Sequence, residues 1–119
     1  VFIDRTNQVK AIQSLREAAD LIKKGRNIIT FPEGTRSQTG KISTFKKGSF
    51  VIAKEGNIPI IPVAIKNSNL INPNNSFQLN KGTIKVSFGT IIENLNEFKN
   101  PLELASHTKK VVAKLYLEL

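Results

Sequence analysis

Cysteine, methionine and tryptophan are absent from this chain, and histidine and tyrosine occur once each. Without cysteine there is no disulfide framework and no thiolate metal site, and the lone His107 makes a histidine-based metal site improbable. Long hydrophobic runs are missing too. The longest, residues 58–65, is interrupted by Pro59 and Pro62 and falls far short of the ~20 residues a membrane-spanning helix needs. The residues after Val1 lack the charged and apolar regions of a signal peptide. A chain that starts at Val1 and holds no methionine is expected to be a fragment of something longer. Acidic residues are scarce: nine against 18 Lys and Arg, for a net charge of +9.

What is present fits one aliphatic core. With 119 residues the expectation is a single domain, or part of one, spanning 1–119. The basic excess is concentrated between positions 23 and 54, where Lys23, Lys24, Arg26, Arg36, Lys41, Lys46, Lys47 and Lys54 face Glu33 alone. Such a field attracts nucleic acid, phospholipid headgroups or phosphorylated small molecules, and charge does not choose among them.

Val1-Phe2-Ile3 reads as the end of a strand that leads into Asp4-Arg5. Val9, Ile12, Leu15, Ala19 and Ile22 recur at helical spacing, with Thr6 or Asn7 as a cap and Gly25 as a stop. Residues 27–31 have the composition of a buried strand. Strand, helix and strand in this order predict a parallel pair with a right-handed crossover, and ligands of such sheets bind beyond the carboxyl ends of the strands. Further on, a short helix is expected over 49–55 and an apolar strand over 58–65, with Pro62 at a bulge or an unpaired position. An Asn- and Ser-rich surface excursion is expected over 67–80, a half-exposed strand over 83–88, and a helix over 101–119 lined by Leu104, Thr108, Val111, Leu115 and Leu119. The fold class is α/β, a mostly parallel central sheet flanked by helices and incomplete at its N-terminus.

The chemistry gathers at Phe31-Pro32-Glu33-Gly34-Thr35-Arg36-Ser37. Gly34 permits close backbone approach to a ligand, Thr35 carries a hydroxyl, and Arg36 presents a planar fork matched to phosphate or carboxylate oxygens. The stretch is either an anion-binding turn or an ordinary strand-to-loop turn, since turns also favour Pro and Gly. Arg5 is the natural second cation on the same rim. Lys46 and Lys47 are possible further phosphate contacts or simply solvated. A carboxylate repels phosphate, so Glu33 is expected to orient the guanidinium or the backbone turn.

Two other catalytic patterns fail. A P-loop requires four residues between its glycines, but five separate Gly34 from Gly40. A nucleophile elbow requires glycines two positions either side of its serine, and Lys47 and Val51 flank Ser49 there. His107 lies at the edge of the last helix's apolar stripe, far along the chain from the anion site.

The order of four segments is more specific than any one of them. Phe2-Ile3-Asp4-Arg5, Phe31-Pro32-Glu33-Gly34-Thr35-Arg36-Ser37, Phe45-Lys46-Lys47-Gly48 and Ile58-Pro59-Ile60-Ile61-Pro62-Val63 together resemble the later sequence blocks of the 1-acylglycerol-3-phosphate O-acyltransferase family, a glycerolipid acyltransferase family. The resemblance implies transfer of a fatty acyl group from acyl-coenzyme A or acyl-carrier protein, as co-substrate, to the free hydroxyl of lysophosphatidic acid, giving phosphatidic acid, with no cofactor or metal. It implies that Arg5, Glu33, Gly34, Thr35 and Arg36 form the phosphate site and that Ile60, Ile61 and Pro62 lie on the acyl-donor or acyl-chain side. It also implies an Asn-His-x4-Asp block, His being the general base, which would stand before Val1. The 119 residues are thus expected to be the C-terminal portion of the domain, able to bind but hardly to catalyse. The whole protein would associate with the cytoplasmic face of a membrane. A non-catalytic lipid-phosphate binder remains the alternative. A nucleic-acid module is disfavoured by the lack of a stacking platform, so no nucleic-acid partner is expected.

Overall fold

The computed structural model describes residues 8–119, so Arg5 and the expected strand at 1–3 lie outside the described residues. Helix α1, Gln8–Lys23, buries Ala18 and packs on helix α2, Gly48–Glu55. Its Leu15 reaches the start of α2, where a Cβ on Gly48 would stand 3.8 Å from the leucine Cδ1. Val9 and Ile12, from the same predicted stripe, remain exposed. Gly25, at φ +82, ends α1 with paired bonds, Gly25 N–H to the Ile22 carbonyl at 2.9 Å and Arg26 N–H to the Leu21 carbonyl at 3.0 Å. This double closure satisfies the last helical carbonyls, and it needs a left-handed residue that glycine supplies without Cβ strain.

Residues 27–31 were expected to pair with residues 1–3, which lie outside the described residues, so that parallel pair is not described. Residues 27–31 form no ladder among the described residues, and Ile29 and Phe31 are 85% and 71% exposed. A strand is a relation to a neighbour, and an apolar composition does not supply one. The described sheet has two antiparallel strands, β1 (Val63–Lys66) and β2 (Lys85–Phe88), with Val63 opposite Phe88 and Lys66 opposite Lys85. Residues 8–119 thus hold a small antiparallel sheet beside the helices, and the first strand of the expected parallel pair falls outside them.

Before β1 the pairing continues through Ile60 and Ile92, which exchange bonds of 3.0 and 2.8 Å. Between these partners two residues on one side oppose three on the other, which is the geometry of a bulge. Pro62 sits there, fully buried, its carbonyl taking the Gly89 N–H at 2.8 Å. The bulge spares the ladder the donor that proline lacks. Gly89 allows the close approach: a Cβ there would lie 2.9 Å from Leu115 Cδ1.

Helix α3 (Ser68–Ile71) opens the excursion between the strands, and helix α4 (Pro101–Glu118) closes the chain. Asn100 caps α4 by accepting the Glu103 N–H at 2.9 Å, while the Glu103 carboxylate accepts the Lys99 N–H at 3.1 Å. This reciprocal arrangement and Pro101 in the first turn explain why the helix starts here. The core joins Phe45, Phe50, Ala53, Leu95, Leu104 and Ala105, with the Phe45 and Phe50 rings stacked at 6.2 Å. Leu95 belongs to a 3-10 turn, Leu95–Glu97. Helix α2 thus packs between α1 and α4.

The expected half-exposed strand over 83–88 is present as β2, with Val86 and Phe88 48% and 72% exposed, while Ala64 is buried and Ser87 half-buried. Helix α4 covers the small-residue face. Small side chains let it come close, and the larger ones therefore point away.

Candidate anion site

Pro32 and Gly34 place a tight turn after residues 27–31. Gly34 N–H donates to the Phe31 carbonyl at 3.0 Å, with Gly34 at φ +80. Proline in the second place and glycine in the fourth are what such a turn favours. The turn is braced from the segment before α2: Lys46 N–H donates to the Pro32 carbonyl at 2.8 Å, and Ser43 N–H donates to Glu33 Oε2 at 2.7 Å. Glu33 is thus committed to a backbone N–H ten residues away, one of the two roles its sequence position suggested. An ionised acceptor makes this a strong hydrogen bond.

Those two braces bring Lys46 onto the turn. A Cβ on Gly34 would stand 3.0 Å from both Cε and Nζ of Lys46, so the ammonium lies directly against the glycine backbone. Lys47 is exposed at the N-cap of α2. The structure therefore separates two lysines that are equivalent in sequence, and seats one of them at the turn.

Thr35, Arg36, Ser37, Gln38, Thr39 and Ser43 line an open, mostly polar cavity of about 350 Å³. Thr35 and Arg36 are exposed, and their backbone N–H groups donate to no acceptor among the described residues. Residues that bear a guanidinium, hydroxyls and backbone N–H groups line the cavity, with the Lys46 ammonium on the adjoining turn. That donor-rich set suits a phosphate or carboxylate. Arg5 lies outside the described residues and is not placed. Sequence reasoning did not single out Ser43, whose contribution through its backbone N–H has no composition signal.

The apolar positions diverge. Ile60 is half-buried in its pair with Ile92, Pro62 is fully buried, and Ile61 is 58% exposed. Ile61, Val63, Ile65, Ile84, Val86 and Phe88 are all exposed, on and beside the two strands. His107 is exposed on α4 with its ring 5.1 Å from that of Phe98. Among the described residues no cluster of His, Asp and Glu is arranged to hold a metal ion, and no helix is long and apolar enough to cross a membrane.

Comparison with known proteins adds an independent line. Residues 1–66, more than half of the chain, match the protein family described as Acyltransferase. A 1-acyl-sn-glycerol-3-phosphate acyltransferase of Cocos nucifera is 34% identical over 117 residues, covering 98% of this chain and 37% of the relative. A protein of the same name from Salmonella typhimurium is 35% identical over 122 residues, covering 100% of this chain and 49% of its own length. Among solved structures, the 1-acyl-sn-glycerophosphate (LPA) acyltransferase PlsC from Thermotoga maritima superposes with a TM-score of 0.84 at 32% identity, covering 92% of this chain and 45% of that one. The chain thus spans about half the length of these relatives, or less.

Proposed function

The chain belongs to the acyltransferase family, and from that premise we propose that it carries the acceptor-binding portion of a 1-acylglycerol-3-phosphate acyltransferase. The observation that carries the proposal is the Gly34 turn with the Lys46 ammonium against it and Arg36 following. In this reading Arg36 and Lys46 neutralise the phosphate of lysophosphatidic acid, Arg5 adds a further cation, Gly34 and Thr35 shape the turn, and Glu33 holds it through Ser43. Lys47 contributes charge from the edge. Two or more cationic groups match a phosphate dianion.

The reaction joins the acceptor hydroxyl to the thioester carbonyl of acyl-coenzyme A or acyl-carrier protein. The thiol leaves and phosphatidic acid forms. A general base that takes the hydroxyl proton typically contributes ~10²- to 10⁴-fold. His107, exposed beside Phe98, is not that base in this reading; the base comes from an Asn-His-x4-Asp block outside residues 1–119, and these residues are the C-terminal portion of the catalytic domain. The exposed apolar surface at Ile61, backed by Ile60 and the buried Pro62, serves the acyl side. The whole protein works at the cytoplasmic face of a membrane, where its lipid acceptor resides, and the +9 charge favours anionic leaflets.

The test is Arg36→Ala in the protein expressed from its full reading frame, assayed for phosphatidic acid formation. Loss of a charged hydrogen-bond partner should raise the KM for lysophosphatidic acid by about 10- to 100-fold, with Arg36→Lys intermediate. An unchanged KM and rate would remove Arg36 from the site. A second reading is a lipid-phosphate binder without catalysis. Binding of lysophosphatidic acid with no product from the full reading frame would select it.

A further inference from the structure

The cavity beside Arg36 owes half its wall to a short polar loop, Ser37, Gln38 and Thr39, that contributes nothing to the hydrophobic core. Such a segment should not hold one conformation by itself, because few contacts offset its chain entropy. Yet the carbonyl of Ser37 and, just beyond the loop, those of Gly40 and Lys41 are taken up. Asn74 Nδ2 donates to the Ser37 carbonyl at 3.0 Å, and Tyr116 donates through its hydroxyl to the Gly40 carbonyl at 3.3 Å. Ser37 Oγ donates to the Lys41 carbonyl at 2.8 Å. Two of these donors come from 37 and 76 residues away in the chain, and both are part-buried. Neither Asn74 nor Tyr116 lines the cavity.

The excursion that carries Asn74 is itself braced. Asn80 binds back across α3, with its N–H on the Ile71 carbonyl at 2.9 Å and its Nδ2 on the Leu70 carbonyl at 2.8 Å. Asn67 Nδ2 donates to the Thr83 carbonyl at 3.2 Å, closing the base of the excursion. Asn69 stands beside the loop as well, its Nδ2 3.1 Å from where a Cβ on Gly40 would be. Tyr116 is steadied by Lys66, whose ammonium lies 5.3 Å from the ring centre.

We infer that Asn74 and Tyr116 are positioning residues for the acceptor-phosphate pocket, acting through the loop from Ser37 to Lys41. A carbonyl oxygen presented to a phosphate repels it, whereas the N–H groups and hydroxyls of the same loop attract it. Two side chains that hold the Ser37 and Gly40 carbonyls therefore decide which polarity the wall offers to an anion. The excursion between β1 and β2 becomes a tuning element for acceptor affinity rather than a passive loop. This inference rests on the proposed phosphate role of the Arg36 turn.

The experiment compares Asn74→Asp, Tyr116→Phe and Arg36→Ala in the protein from the full reading frame. It reads KM and kcat for lysophosphatidic acid, binding of sn-glycerol 3-phosphate by titration calorimetry, and thermal stability. Asn74→Asp replaces the donor by a second acceptor facing the Ser37 carbonyl. Tyr116→Phe removes one hydroxyl. Each is expected to raise the KM by about 3- to 10-fold, with kcat within twofold and the melting temperature close to that of the parent, and Asn74→Gln is expected to restore part of the loss. If Arg36→Ala raises the KM and the two positioning variants do not, the loop inference is overturned and the phosphate site stands. If none of the three changes KM or binding, the phosphate site itself is overturned. A fall in kcat and melting temperature together, with KM unchanged, makes the two residues merely structural and overturns the inference.

Discussion

Replacing Gly34 by alanine tests the centre of the site with a single methyl group. Gly34 sits at φ +80, where an L-residue places its Cβ too near the following carbonyl at a cost of ~1–2 kcal/mol. Alanine also stiffens the unfolded chain, which offsets ~0.4–1 kcal/mol of that cost. The new methyl would meet Cε and Nζ of Lys46 at 3.0 Å. These are the far end of a flexible side chain and can swing away at little cost in stability. The net destabilisation is therefore about 1 kcal/mol, a urea midpoint lowered by roughly 0.5–1 M in a circular-dichroism titration. The displaced ammonium should show separately, as a loss of sn-glycerol 3-phosphate affinity beyond what unfolding explains. Gly34→Asn is the control for backbone strain, because asparagine tolerates this region; the chain itself places Asn57, Asn67, Asn75 and Asn94 at positive φ. It should recover most of the midpoint but not the affinity, since its side chain still meets Lys46. An alanine variant with an unchanged midpoint and unchanged binding would refute both the strain and the placement of Lys46.

Two further outcomes test the frame that holds this turn. Leu104 is completely buried among Phe45, Phe50 and Leu95, so Leu104→Ala should cost about 2–5 kcal/mol, read as a lowered melting temperature in calorimetry. Asn100→Ala removes the cap on Glu103 N–H and should cost about 1 kcal/mol. Amide exchange should then speed up in the first turn of α4 and hardly change at its centre, while Asn100→Asp stays near the parent.

The helices were legible because their signals are local. The apolar spacing of α4, Pro101 in its first turn, and Gly25 closing α1 are decided within a few residues by backbone geometry. The turn from Phe31 to Gly34 was legible for the same reason, since Pro32 and Gly34 act within one turn of chain. Glu33 was legible only as a choice between two roles, and the N–H of Ser43, ten residues away, decided it. Residues 27–31 carry a strand's composition, but a ladder also requires a neighbour, and the one expected at residues 1–3 lies outside the described residues. The covered sheet face was not legible: alternation reveals that a strand has an apolar side, not that Ala64 and Ser87 lie on the less exposed one.

By itself the sequence determined a basic, cysteine-free chain of the acyltransferase family with a turn at Phe31 to Gly34, because charge, turn residues and the order of motifs are properties of the chain as written. Only the tertiary structure decided that Lys46, not Lys47, lies on Gly34, and that Asn74 and Tyr116 hold the wall beyond Arg36. Those contacts join residues 12 to 76 positions apart. Their partners are selected by packing and by the demand that polar groups find one another, which no short window of sequence can express.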